Sequence, residues 1–381
     1  MPNYFSVGYA AGVDGREVCI QAIERAKASL APGADEVALA LIFSSNEFPL
    51  SDLMNGINAG LRDVPVAGYS TSDVLVSEGA RTHGVAVALM AGDDLKGAAQ
   101  WWGGLPPEAG ASARKWLASQ PVSGGRLHPL FIFAEGLDTL AAPAWLPVGC
   151  LTGETGQARG MYQFGGGQGG AGLAAAILTG ELGLGVGVDH GWQPVGLHFT
   201  ISKADGLWVR ELDERPATEV YAGIFGQQTR QWLVPPLNEM VRLYPFGMDG
   251  GNGTLHVCSP VQVEVDGSFR MSAPVAGGGT GHLMVGSAAA CEEAVRRAAR
   301  QALAGLGAGQ KPGLALVFVD VAWKMLAEAQ GIRITEVLGE EIGPEVPVAG
   351  GYSVGQVWRA AEANDGTAGI LSQHIQVILL A

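Results

Sequence analysis

The stretch VPVAGGYSVGQVW, residues 346–358, decides how this chain is read. It holds Gly351-Tyr352-Ser353-Val354-Gly355, a literal G-x-S-x-G, the turn that presents the nucleophile of many serine hydrolases. Asp365 and His374 follow in the order a triad would take. Such an elbow needs a helix directly after the serine, whereas SVGQVW alternates small and apolar residues as a strand does. Asp365 lies 12 residues beyond Ser353 and His374 a further 9, little chain for a triad on separate loops. The stretch therefore reads as a buried strand with a glycine-rich turn. An ester hydrolase using Ser353 is the enzyme alternative.

Similar text occurs twice more. VALALIFSSN, a helical stretch, VPVAGYSTSDVL (64–75) and GVAVALM form a first unit. PLFIFAEGL, a shorter connection, LPVGCLTGETG (146–156) and AGLAAAIL form a second. GLALVFVDVAWK, a longer helical segment, VPVAGGYSVGQVW and SQHIQVILL form a third. Each is an apolar strand, a mostly helical connection, a P-V-x-G strand (shortened to P-V-G in the second unit) ending in a small polar turn, and a returning strand. The PVAG at 274–277 lacks the preceding strand and helix and is set aside.

Helical patterns mark REVCIQAIERAKASL (16–30), SDLMNGINAGL (51–61, with Ser51 as cap) and SAAACEEAVRRAARQAL (287–303, with Ser287 as cap). VQVEVDGSFRM (261–271) reads as a hairpin with Asp266-Gly267 as a two-residue turn. The expected fold is α+β, two domains of mixed, largely antiparallel sheet with helices on the outer faces, built from repeated strand-helix-strand-strand units. The expected domains are residues 1–222 and 223–381.

Composition narrows the function. The chain has 381 residues, 48% of them hydrophobic, and a formal net charge of −14, a field that repels nucleic acid. Cys19, Cys150, Cys258 and Cys291 are far apart, and the first residues lack a secretory pattern. Reduced thiols in a cytoplasmic protein are expected. The most apolar stretch, 169–188, is broken by Glu181 and many glycines and reads as two strands, with no membrane insertion.

GGGQGGAG (165–172) satisfies G-x-G-x-x-G at Gly165, Gly167 and Gly170, but AGLAAAIL after it reads as a returning strand, not the helix a dinucleotide site needs. The seven histidines show no metal-ligand spacing. No metal and no cofactor are expected, although a single histidine could hold haem. The polar turns remain as candidate ligand contacts: Ser70, Thr71, Ser72 and Asp73 in the first unit, Thr152, Glu154 and Thr155 in the second, and Tyr352, Ser353 and Gln356 in the third. Hydroxyls and a carboxylate beside backbone amides suit a polar or zwitterionic small molecule.

The order of GYSTSDVL, VAVALM, GCLTGETG, GVDHGWQPVG-x-x-F-T (187–200), LWVRELDERPATEVY (207–221), YPFGMD (244–249), VEVDGSFRM and VPVAGGYSVG resembles the FIST proteins, named for F-box and intracellular signal transduction. The resemblance implies FIST N and FIST C domains and a non-enzymatic sensory role in signal transduction in bacteria. It also implies a small-molecule ligand, with amino acids the usual proposal. Output through a separate partner is implied too, because the chain ends at Ala381 directly after its last strand. One branch resembles haem-binding gas sensors, so haem is the alternative. The family's C-terminal signature, close to G-F-Y-x-Y-G-E-I, has Gln356 here in place of the acid. VDVAWK, with Asp320 and Lys324, replaces the expected cysteine-and-arginine segment.

Overall fold

The computed structural model describes residues 3–32, 34, 36–122, 127–137, 140–152, 161–234, 240–249, 255–359 and 367–381. The three repeated units each build one sheet. In the first, strand Val37–Ser45 lies parallel to Val66–Thr71 and antiparallel to the returning Gly84–Ala91, which pairs in turn with Tyr4–Ala11. Helices α1 (Gly15–Ser29) and α2 (Leu50–Gly60) pack on its outer face through Val18, Ala22, Ile23, Leu53 and Ile57. Asp14 caps α1 by accepting from Glu17 N–H. Contrary to expectation, Ser51 caps nothing: α2 starts one residue earlier, after Pro49, whose fixed φ suits a helix entry.

The second sheet repeats this order with His128–Ala134 parallel to Trp145–Leu151, and with Leu173–Thr179 and Lys96–Trp102 beyond. Helix α3 (Pro106–Ala118) covers its outer face. The third unit opens with Leu184–Asp189 and is interrupted by a β-rich lobe. A seven-strand path runs through that lobe from Leu255–Cys258 to Pro260–Val263, with the long strand Trp192–Asp205 at its centre. Helix α4 (Ala217–Ile224) packs Tyr221 against Trp232, Phe246 and Phe269 there. The boundary expected near 222 falls inside α4, and the third sheet draws strands from both sides of it. The unit resumes with α5 (Ala288–Gly305), capped by Ser287 as its sequence predicts. Leu314–Asp320, helices α6 (Val321–Gln330) and α7 (Ile334–Ile342), Val348–Ser353 and Ile375–Leu380 follow.

What the repeat does not reveal is an exchange. After each P-V-x-G strand the chain leaves its own sheet, and its hairpin extends a neighbour's. Val74–Val76 joins the third sheet beside Val348–Ser353, Gln163–Gly165 joins the first beside Val66–Thr71, and Gly355–Arg359 joins the second beside Trp145–Leu151. The swap closes three sheets into a ring. At its centre Phe43, Phe133 and Phe318 occupy equivalent positions and meet edge to face, with ring centroids 5.8–6.1 Å apart. All three are fully buried, and edge-to-face contact is the geometry their quadrupoles favour.

The motif's glycine follows from the same packing. A Cβ on Gly68, Gly149 or Gly350 would lie 1.8, 2.1 or 1.8 Å from the carbonyl oxygen of Ile42, Ile132 or Val317, its partner on the parallel strand. Only glycine fits. Two local expectations are also settled. GGGQGGAG is a hairpin turning at Gly166 and Gly167, both at positive φ as a two-residue type I′ turn requires, and a strand follows it. Asp266-Gly267 instead belongs to a three-residue loop closed between Glu264 and Ser268, with Gly267 left-handed at its end.

Candidate functional site

The register makes Thr71, Thr152 and Ser353 equivalent, each at the carboxyl end of its P-V-x-G strand. All three are buried, and their hydroxyls are engaged inside the protein. Thr71 Oγ1 accepts from Tyr352 N–H at 2.9 Å and sits 2.9 Å from the Asp73 carbonyl. Thr152 Oγ1 accepts from Gln163 Nε2 and lies 3.2 Å from the Ala134 carbonyl. Ser353 Oγ accepts from Gln356 Nε2 at 3.0 Å and lies 3.3 Å from the Val319 carbonyl. Gln163 and Gln356 hold equivalent hairpin positions, opposite Tyr69 and Cys150.

Ser70 exchanges bonds with the Tyr162 backbone at 2.8 and 2.9 Å, and Ser72 is half-buried. Asp73 pairs with Lys324 at 2.7 Å. Glu154 and Thr155 lie outside the described residues. Ser353 is followed directly by a strand, and among the described residues no imidazole bonds it. His374 Nδ1 is 2.5 Å from the Ser372 carbonyl, and Asp365 lies outside the described residues. This is not the geometry of a nucleophile elbow.

Gln356 is fully buried and lines neither cavity described below. Its Nε2 serves Ser353, and its Oε1 has no hydrogen-bond partner among the described residues. A glutamate there would bury an uncompensated carboxylate, raising its pKa above the unfolded value. Gln356→Glu is expected to cost roughly 3 kcal/mol at pH 7 and less at pH 5, where the acid protonates. Chemical denaturation at both pH values checks this.

His374 is buried, and desolvation, followed by the charge of His190, lowers its pKa from 6.5 to about 4. As pH falls below 6.5, the unfolded chain takes a proton that the folded chain refuses until about 4. Stability is thus full above 6.5 and lost on acidification toward 4, by roughly 3 kcal/mol. Asp320, raised by burial, works in the opposite direction. The test is urea unfolding at pH 7 and 4.5, where His374→Gln should lose less stability than wild type.

An open site lies where the lobe meets the ring. Trp192 Nε1 and Trp323 Nε1 both donate to the Gln373 carbonyl, at 2.8 and 3.1 Å, and Ser272 and Ser372 hydroxyls meet at 2.7 Å. Beside this seam is a cleft of about 790 Å³. Its ring wall carries Glu135, Leu151 and Ile370, and its lobe wall carries Arg242, Arg270 and Met271. Glu135 follows strand His128–Ala134 and holds the position that Asp320 holds in the third unit. Asp320 itself is enclosed, accepting from Ala322 N–H at 3.0 Å and Gln373 N–H at 2.8 Å, so it caps α6 and fastens the seam. Neither Glu135 nor the two arginines stand out in sequence, although Arg270 sits in the hairpin text VEVDGSFRM.

Among the described residues no group of three or more His, Cys, Asp or Glu converges as a metal site, and no His or Cys lines either cavity. The four cysteines are buried and free, and burial pushes Cys19, Cys258 and Cys291 to about 12, so they are thiols at neutral pH. Among the described residues no helix is long and apolar enough to cross a membrane.

Ring, lobe and seam cleft together define a two-part α+β scaffold of mixed sheets. Residues 38–215 match the FIST N domain and residues 217–359 the FIST C domain, and the chain belongs to the FIST family. FIST domains are associated with sensory roles in signal transduction. No curated protein matches the chain.

Proposed function

We propose that this chain is a non-enzymatic sensor that holds an amino acid in the seam cleft and signals through a separate output protein. One observation carries the reading: the cleft sets a carboxylate, Glu135, on the ring wall and two guanidinium groups, Arg242 and Arg270, on the lobe wall. A zwitterion presents an ammonium group to the first and a carboxylate to the second, and Leu151, Ile370 and Met271 offer an apolar bed for a side chain. Because the ligand bridges ring and lobe, binding favours one relative placement of the two, which is the change a partner would read. The buried, free thiols support a reducing, cytoplasmic setting.

A thermal-shift screen of amino acids and related metabolites tests the ligand class. A true ligand raises the unfolding midpoint once its concentration far exceeds Kd, and a flat response to every amino acid rejects the class.

A further inference from the structure

The hairpin exchange creates three equivalent seams, each between a sheet edge covered by a neighbour's hairpin and the outer helices of that sheet. Register identifies them: Phe164, Val357 and Leu75 are equivalent, as are Gly169, Ile370 and Ala80 opposite them, and Ser70, Leu151 and Tyr352 on the P-V-x-G strands. The first seam is filled by Phe48, Tyr162 and Phe164, with Tyr162 OH donating to the Phe48 carbonyl at 2.9 Å. The second opens into the cleft already described. The third holds a separate cavity of about 700 Å³ between Val74–Arg81 and helices α6 and α7.

This third-seam cavity is built differently. Leu75, Ala80, Ile334, Val346 and Val348 make an apolar wall. Where the equivalent positions carry serine and leucine, Tyr352 enters the lining, only 3% exposed, and among the described residues no group hydrogen-bonds its hydroxyl. Burial first, then the charges of Asp73 and Glu328, push its pKa up, so it is a neutral phenol. Asp73 is 5% exposed; one carboxylate oxygen meets Lys324 and the other, Oδ1, has no partner among the described residues.

The rim is acidic as well, with Glu78, Glu336 and Glu340 against Arg333. That guanidinium is committed to Glu292 at 3.1 Å and to Glu336 at 2.8 Å, and Lys324 is shared between Asp73 and Glu328. An apolar wall, a phenol hydroxyl in the lining and a net negative rim select a cation with a hydrocarbon body.

We infer that this cavity is a second ligand site, distinct from the seam cleft, that takes a small apolar amine, with its ammonium group beside the Tyr352 hydroxyl and its hydrocarbon against Leu75 and Val348. It does not rest on the amino-acid reading of the other cleft.

The test is calorimetric titration of the full chain with 2-phenylethylamine and with 2-phenylethanol, which keeps the body and lacks the charge. The amine should bind, and the alcohol should bind at least about tenfold more weakly. Ala80→Phe, at an exposed hairpin position, should fill the cavity and abolish amine binding. Tyr352→Phe, which removes only an oxygen, should weaken it about fivefold. Arg270→Ala, in the other cleft, should leave it unchanged. Absence of amine binding at millimolar concentration, equal binding of the alcohol, or unchanged binding in Ala80→Phe would each overturn the proposal.

Discussion

Gly350→Ala should abolish the soluble fold or lower its stability by more than about 4 kcal/mol, a far larger effect than one methyl group usually has. The added Cβ would lie 1.8 Å from the Val317 carbonyl oxygen and 2.7 Å from its carbon. Both strands are central in the third sheet, held on their other sides by Ile375–Leu380 and Val74–Val76, so neither can move away alone. Gly68→Ala should behave alike against Ile42. Gly223→Ala supplies the control, because that helical glycine has open space around it and should gain up to about 1 kcal/mol. Thermal unfolding of the three variants decides the matter. A Gly350→Ala protein within about 1 kcal/mol of wild type would mean that the parallel strands do not approach this closely.

The second large effect is expected at the ring's centre. Phe133→Ala should cost about 3–5 kcal/mol, since Phe133 is fully buried, stacks on Tyr69 at 5.1 Å and meets Phe43 and Phe318 edge to face. Because the three phenylalanines come from three different units, Phe43→Leu and Phe133→Leu should be non-additive by about 0.5–1.5 kcal/mol. Strict additivity in guanidinium unfolding would show that the units keep separate cores.

Much of this architecture is legible in the chain. Continuous apolar runs such as VALALIF announce strands buried on both faces, and the recurrence of Pro-Val followed closely by Gly announces three units, because each signal is local. The exchanged hairpins are not legible. Val74–Val76 and Gln163–Gly165 are three residues long, and Val74–Val76 pairs with residues more than 270 positions away, so nothing nearby names the partner. The α2 start is hard to read in sequence because proline at 49 offers an entry that serine preference at 51 obscures.

The candidate site divides along the same line. Hydroxyls such as Thr71, Thr152 and Ser353 are conspicuous in sequence, but their internal hydrogen bonds appear only once strands are paired. Of the eight candidates among the described residues, Tyr352 alone lines either cavity. Glu135, Arg242 and Arg270 are inconspicuous because the lobe that carries the two arginines is inserted into the third unit, which brings them face to face with the distant Glu135.

The claim that ligand binding at the ring–lobe seam is what this protein does is tested most directly by one titration. An amino acid that raises the unfolding midpoint is titrated calorimetrically into wild type and Arg270→Ala. Binding at least about tenfold weaker in the variant is the predicted result, since a guanidinium–carboxylate contact would be lost. Equal affinity in the two proteins would contradict it and move the ligand out of the cleft.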